Sequence, residues 1–196
     1  MRARTLFIFA AGLLASLPSA ARAQPTVRPF DRLDVGLYGA TTVSDSQFDS
    51  YWDAGPAGAI DFVTPFYVGR ASLLVRVGVD DAIAGQSTSG YTSIFAALGW
   101  RVGRPLFEHL RADIGLHVGL TEWIFDSEDD SAVRYELELG TEAGLRLAYE
   151  FAHRWHAVAE GSYQWTFTYQ RIEQAYVSVG IARSFGAPGW IRSVLE

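Results

Sequence analysis

The chain has no cysteine, no lysine and no asparagine among its 196 residues. Without cysteine there is no disulfide framework, no thiol nucleophile and no thiolate metal site. Without lysine, Schiff-base and other Lys-based catalysis is excluded, and every cation apart from His is a permanently charged arginine. Without asparagine there is no N-glycosylation sequon. Positive charge is also in short supply: 16 Arg face 22 acidic residues, for a formal charge of −6. Such a balance argues against a nucleic-acid partner, which calls for a basic face. Long apolar runs are missing too. Past residue 23 none approaches the roughly 18 residues of a transmembrane helix.

What is present starts with a leader. Arg2 and Arg4 give a basic start, Leu6 to Leu17 an apolar stretch, and Ala21-Arg22-Ala23 a small-x-small site before Gln24. That order reads as a secretory signal peptide over residues 1–23. Its apolar stretch is shorter than the roughly 20 residues a spanning helix needs. Removing it leaves thirteen Arg against all 22 acids, a formal charge of −9 over residues 24–196.

The remainder repeats a beat of two. In segments such as "LLVRVGV" and "DIGLHVGL", apolar residues take every other position, with Gly, Ser, Asp, Glu, Arg or His between them. Period two means strands with two chemically different faces. Eight strands are predicted, over about 32–43, 57–66, 71–82, 91–103, 110–125, 134–151, 155–169 and 175–185, as this alternation marks them. Pro65 cannot donate to a ladder and marks a strand end.

The apolar set carries Leu, Val, Ile, Tyr and Trp on nearly every strand. The other set is rich in Gly and holds formal charges. An eight-stranded barrel has an interior just wide enough for side chains, so the small and charged set suits the inside and the bulky set suits lipid. A lipocalin-like barrel with the opposite orientation would leave a Gly-rich exterior. Unpaired strand edges cannot face hydrocarbon, so the sheet must close. The polar connections after strands one, three, five and seven, against tight turns after two, four and six, place both termini in the periplasm. Aromatic girdles are expected at both ends: Phe66, Tyr67, Trp100, Phe107, Tyr149, Phe151, Trp155 and Phe185 at one, and Tyr91, Trp123, Phe125, Tyr135, Phe167 and Tyr169 at the other.

The last strand, "SVGIARSF", resembles the C-terminal signal that the barrel-assembly machinery of outer membranes reads. Ser178, Gly180 and Phe185 match its pattern; Arg183 stands where that pattern has an apolar residue. Residues 32–185 as a whole resemble the small eight-stranded outer-membrane β-barrel proteins, the class of the OmpA barrel domain, OmpX and OmpW. The resemblance implies an all-β, antiparallel, up-and-down transmembrane barrel over residues 24–185. It implies contact with outer-membrane lipid and lipopolysaccharide, and a monomer. Residues 186–196, "GAPGWIRSVLE", form a short periplasmic tail in which Trp190, Ile191, Val194 and Leu195 share one helical side. The tail is either a frayed end or a docked helical turn.

Candidate chemistry lies on the inner face. Asp34, Asp61, Asp80, Asp113, Glu136, Glu138, Glu142 and Glu160 are expected there, with Arg76, Arg101, Arg146 and His117. Buried charges have to be paired, so an interlocked plug is the first reading. A cation path past the acid excess is the second, and a lipid-modifying enzyme the third. No Ser–His pair at a shared rim is evident. The run Asp126-Ser127-Glu128-Asp129-Asp130 lacks the Gly and terminal Glu of an EF-hand loop. It reads as a solvated loop, with loose divalent-cation bridging to lipopolysaccharide phosphates as the alternative. Neither a cofactor nor a bound metal is expected.

Overall fold

Nine strands follow one another among the described residues, and their period-two residues decide which way each one faces. The computed structural model describes residues 29–43, 50–84, 89–126, 135–167, 172–187 and 189. The strands are β1 (Arg32–Thr42), β2 (Trp52–Asp53), β3 (Pro56–Pro65), β4 (Arg70–Ala82), β5 (Tyr91–Pro105), β6 (Leu110–Phe125), β7 (Tyr135–Ala152), β8 (Trp155–Thr166) and β9 (Ile172–Gly186). Each pairs antiparallel with its neighbours, and two further seams, β1–β9 and β4–β5, close the set into an eight-stranded barrel. The fold expected from the alternation is the fold observed. The addition is β2, a two-residue strand that extends the end of β4 through Trp52↔Ala82 and Asp53↔Asp81.

The two prolines bounding β3 sit where proline is tolerated, at a strand's first and last positions. Tight turns follow β3, β5 and β7. In the first, Gly69 holds φ of 126°, which L side chains avoid. A Cβ there would also crowd the Trp100 ring and the Arg101 carbonyl. In the last, Arg154 adopts a φ of 66°, and an irregularity between Glu150 and Ala152 leaves Phe151 unpaired at the rim. Residues 1–28, which include the expected signal peptide, lie outside the described residues. So do 188 and 190–196 of the tail and most of the acidic run at 126–130.

The outer face is an aliphatic belt. Leu98, central in β5, is 70% exposed, and Leu37 and Val179 are each 62% exposed. Leu116, Val118, Leu120, Leu137, Leu139 and Ile181 continue the belt around the wall. An exposed aliphatic surface of this extent marks a face that an apolar medium covers. The inner face carries the buried polar set, in which Asp61, Arg101, Asp113 and Glu142 are each 1% exposed and His117 is fully buried.

One girdle differs from expectation. Tyr91 and Trp123 point into the barrel, not toward lipid, and are buried with Phe125 and Trp52 packed on them. The Tyr91 and Trp123 rings meet edge to face at 4.7 Å. Strand parity is the cause: Tyr91 is in phase with Arg101 on β5, and Trp123 with His117 on β6. Tyr135 and Phe167 are exposed as expected, and Tyr169 lies outside the described residues. At the turn end Phe66 packs on Trp100 with ring centroids 5.3 Å apart.

Candidate functional site

The barrel's register fixes how far apart its walls are. Following the inward-facing pairs from Asp34 through Val63, Ser72, Gly99, His117, Glu142 and Gln164 leads to Gln174 on β9. The β9 partner of Asp34 is Ser184, ten positions along the strand. A stagger of ten across eight strands sets a tilt of about 40° and a wall roughly 8 Å from the axis, given about 3.3 Å per residue and about 4.8 Å between strands. Long side chains from opposite walls therefore meet at the axis.

They meet as ion pairs, in layers. Nearest the turns, Arg70 on β4 pairs with Asp113 on β6 and lies 3.6 Å from Asp34 on β1. Arg111 Nε donates to Asp113 Oδ1 at 2.8 Å, Ser184 donates to Asp34 at 2.6 Å, and Arg32 lies 3.1 Å from Asp34. One step up, Asp61 on β3 pairs with Arg146 on β7, four strands away in either direction and thus across the full diameter. The same carboxylate accepts from the Tyr38 hydroxyl at 2.7 Å and lies 3.7 Å from Arg101, which also binds Glu160 at 3.1 Å.

The next layer belongs to Arg76. Its Nη1 is 2.6 Å from Glu142 Oε2, its Nη2 donates to Gln164, and its guanidinium stacks on Tyr176 at 3.7 Å. Gln164 in turn donates to Thr121 at 3.0 Å and Thr166 at 3.1 Å. Here Ser72 Oγ lies 3.0 Å from His117 Nε2, and His117 Nδ1 is 3.9 Å from Glu142. The order Ser–His–carboxylate mimics a nucleophile's relay, but Glu142 is engaged by Arg76. Neither the turn-end vestibule nor the small void near Asp80 borders any of the three. Ser72 and His117 Nε2 engage each other inside the plug, while His117 Nδ1 is buried without a hydrogen-bond partner among the described residues and Glu142 turns to Arg76. Highest of all, Asp80 accepts from the Gly55 amide at 3.0 Å and from the Tyr91 hydroxyl.

Two expected members stand apart. Glu136 is exposed and Glu138 partly exposed. They keep the inward parity of β7, but β8 ends at Thr166 opposite Gly140. Beyond that point β8 reaches β7 only through the Phe167 amide on the Leu139 carbonyl at 2.8 Å, and the two carboxylates stay hydrated. Arg70 and Arg111 were not expected and take their place. Counting back by two from Ser72 and from Asp113 would have found both. The expected acid excess accordingly shrinks. Among the paired groups Asp34, Asp61, Asp113, Glu142 and Glu160 face Arg70, Arg76, Arg101, Arg111 and Arg146, and Asp80 above them leaves an excess of one acid.

Void space is unevenly distributed. A vestibule of about 190 Å³ opens at the turn end and is floored by Asp34, Arg70 and Arg146. Far above it, between Arg76 and Asp80, a void of about 10 Å³ remains, at or below the smallest space that holds a water.

Of the three residues matching the C-terminal signal, Ser178 and Gly180 face the lumen and Phe185 faces out. Gly180 has a packing reason as well: a Cβ there would strike the Leu37 carbonyl and the Tyr38 ring that donates to Asp61. Gly180→Ala is expected to destabilise the barrel by about 1–3 kcal/mol through overpacking, read as a lower urea midpoint in micelles. An unchanged midpoint would show that the Tyr38 ring yields freely.

No family model matches the chain, and no curated protein sequence does. Solved structures do. Neisserial surface protein A (NspA) superposes with a TM-score of 0.59 at 11% identity, over 79% of this chain and 96% of that one. The outer membrane protein OprG from Pseudomonas aeruginosa gives 0.58 at 12% identity, over 84% and 100%. The N-terminal β-barrel domain of Pseudomonas aeruginosa OprF gives 0.52 at 12% identity, over 81% and 100%. The fold is thus that of the small eight-stranded outer-membrane β-barrels. At these identities the likeness is one of backbone, and the lumen side chains have to be read in their own right.

Proposed function

We propose that the chain is a monomeric, non-enzymatic barrel of the bacterial outer membrane whose lumen is a closed plug, with a structural or surface-contact role. The diametric Arg146–Asp61 pair carries this reading, because it crosses the only axis along which a solute could pass. Arg101, Glu160, Arg76 and Glu142 continue the obstruction above it. The exposed aliphatic belt supports embedding in lipid, where a closed barrel leaves no unpaired edge. With turns facing the periplasm, the even strand number brings both ends of the barrel to that side. The loop end then faces lipopolysaccharide, and the last strand, Ser178 to Phe185, is what the assembly machinery reads.

In planar bilayers the refolded protein is expected to pass no steady current. Regular single-channel openings that disappear in Arg76→Ala would overturn the plug and favour the narrow-pore reading. Heat-modifiable migration on a gel, with β-rich circular dichroism in detergent, is the companion expectation. A monomer that stays soluble without detergent would overturn membrane embedding itself.

A further inference from the structure

Arg183 is a cation on the wrong face. It lies three residues from the end of β9 with its side chain outward and exposed, in register with Val35 on β1 and Trp155 on β8. Its guanidinium lies 5.0 Å from the centroid of the Trp155 ring and 5.1 Å from that of Phe185. Among the described residues no carboxylate pairs with it, in contrast to the arginines of the lumen. Two aromatic rings hold the charge in place and neutralise none of it. At the edge of the apolar belt an outward cation is tolerated and stands at the level of the lipid headgroups, where its counter-charge is a phosphate.

Next to it the barrel's lip offers room. The Ser184 amide bonds the Arg154 carbonyl at 2.9 Å, which fixes the β7–β8 turn against the end of β9. That room lies on the lumen side of the lip: a cavity of about 310 Å³ is lined by the inward-phase Arg32, Glu150, His156 and Ser184, and Arg183 is not part of it. On the outer face, an apolar wall followed at its edge by a ring-held guanidinium matches the order of a lipid: acyl chains, then phosphate.

We propose that Arg183, clamped by Trp155 and Phe185, binds the phosphate diester of one glycerophospholipid in the leaflet at the turn end. The inference rests on the membrane reading above. Arg is suited to it because its planar fork donates to two phosphate oxygens while its faces stack on rings. In this view the departure from the C-terminal signal pattern at Arg183 is a lipid contact.

The test uses the full barrel refolded in detergent and native mass spectrometry. The probes are dimyristoylphosphatidylglycerol and, as the same tails without phosphate, dimyristoylglycerol. Wild type is expected to retain one phosphatidylglycerol and no diacylglycerol. Arg183→Leu should lower the lipid-bound fraction at least tenfold, and Arg183→Lys should restore part of it. Arg183→Gln serves if the leucine variant does not refold, as judged by heat-modifiable migration. Equal retention by wild type and either neutral variant, or equal retention of the two lipids, would overturn the site. A heat-modifiable barrel with unchanged lipid retention fails this inference alone, whereas a detergent-independent soluble monomer fails the membrane reading beneath it.

Discussion

Asp61→Ala should lower the unfolding free energy of the barrel by about 3–5 kcal/mol, the range for leaving a buried charge without its partner. Stoichiometry at the axis sets this cost. A single carboxylate serves Arg146 from the opposite wall, lies 3.7 Å from Arg101, and takes the Tyr38 hydroxyl at 2.7 Å. Removing it takes the only close carboxylate among the described residues from the largely buried Arg146 and one of two from Arg101. Arg101 keeps Glu160 at 3.1 Å, but Arg146 has no other carboxylate as close. Glu160→Ala should therefore be milder, since Arg101 falls back on Asp61 and the Glu160 side chain is 10% exposed. Equilibrium unfolding of both variants from lipid vesicles measures the difference. If Asp61→Ala proves as mild as Glu160→Ala, water has entered the lumen to solvate Arg146, and the plug is looser than its geometry.

Leu98→Arg is the second large effect, on the other face of the same wall. Leu98 sits at the centre of β5 and is 70% exposed. An arginine on the lipid face near the bilayer midplane destabilises a transmembrane barrel by about 2–4 kcal/mol, falling toward zero near the interface. The same substitution at Val102, four residues nearer the turn end on the same outward face, should be markedly milder. The comparison is made by unfolding from vesicles and repeated in micelles, where the depth gradient collapses. Equal costs at the two positions in vesicles would mean that the belt is not spanning hydrocarbon.

The architecture was legible because closure leaves period-two strands few choices. Once Leu73, Val75 and Val77 are set against Ser72 and Arg76, the direction of every other side chain on β4 follows. The same arithmetic placed Asp34, Asp61, Asp113, His117, Glu142, Arg146 and Glu160 on one face of their strands. What parity does not carry is depth. Glu136 and Glu142 are equivalent in phase, but only Glu142 lies where β8 still covers its flank. Nor does parity reveal partners. That Asp61 faces Arg146 rather than its nearer neighbours depends on the stagger between strands, which no single strand encodes. Arg70 was missed for a different reason: proximity to the Val68-Gly69 turn masked its place at the start of β4. Tyr91 and Trp123 show the opposite error, in which aromatic identity outweighed the phase that puts them inside.

The diametric pairing also governs how such a chain can come together. Asp61 and Arg146 are 85 residues apart, Arg76 and Gln164 are 88, and Asp34 and Ser184 are 150. No single hairpin contains both members of any of these pairs. A partly formed sheet would have to hold its arginines against lipid unpaired, and so would a barrel with its β1–β9 seam still open. Neutralisation of the interior is thus completed only with the final seam, although Arg111–Asp113 can form within β6. The lumen charges act as a check that the circle has been completed in the right register, since a slip of one residue would turn every one of them outward.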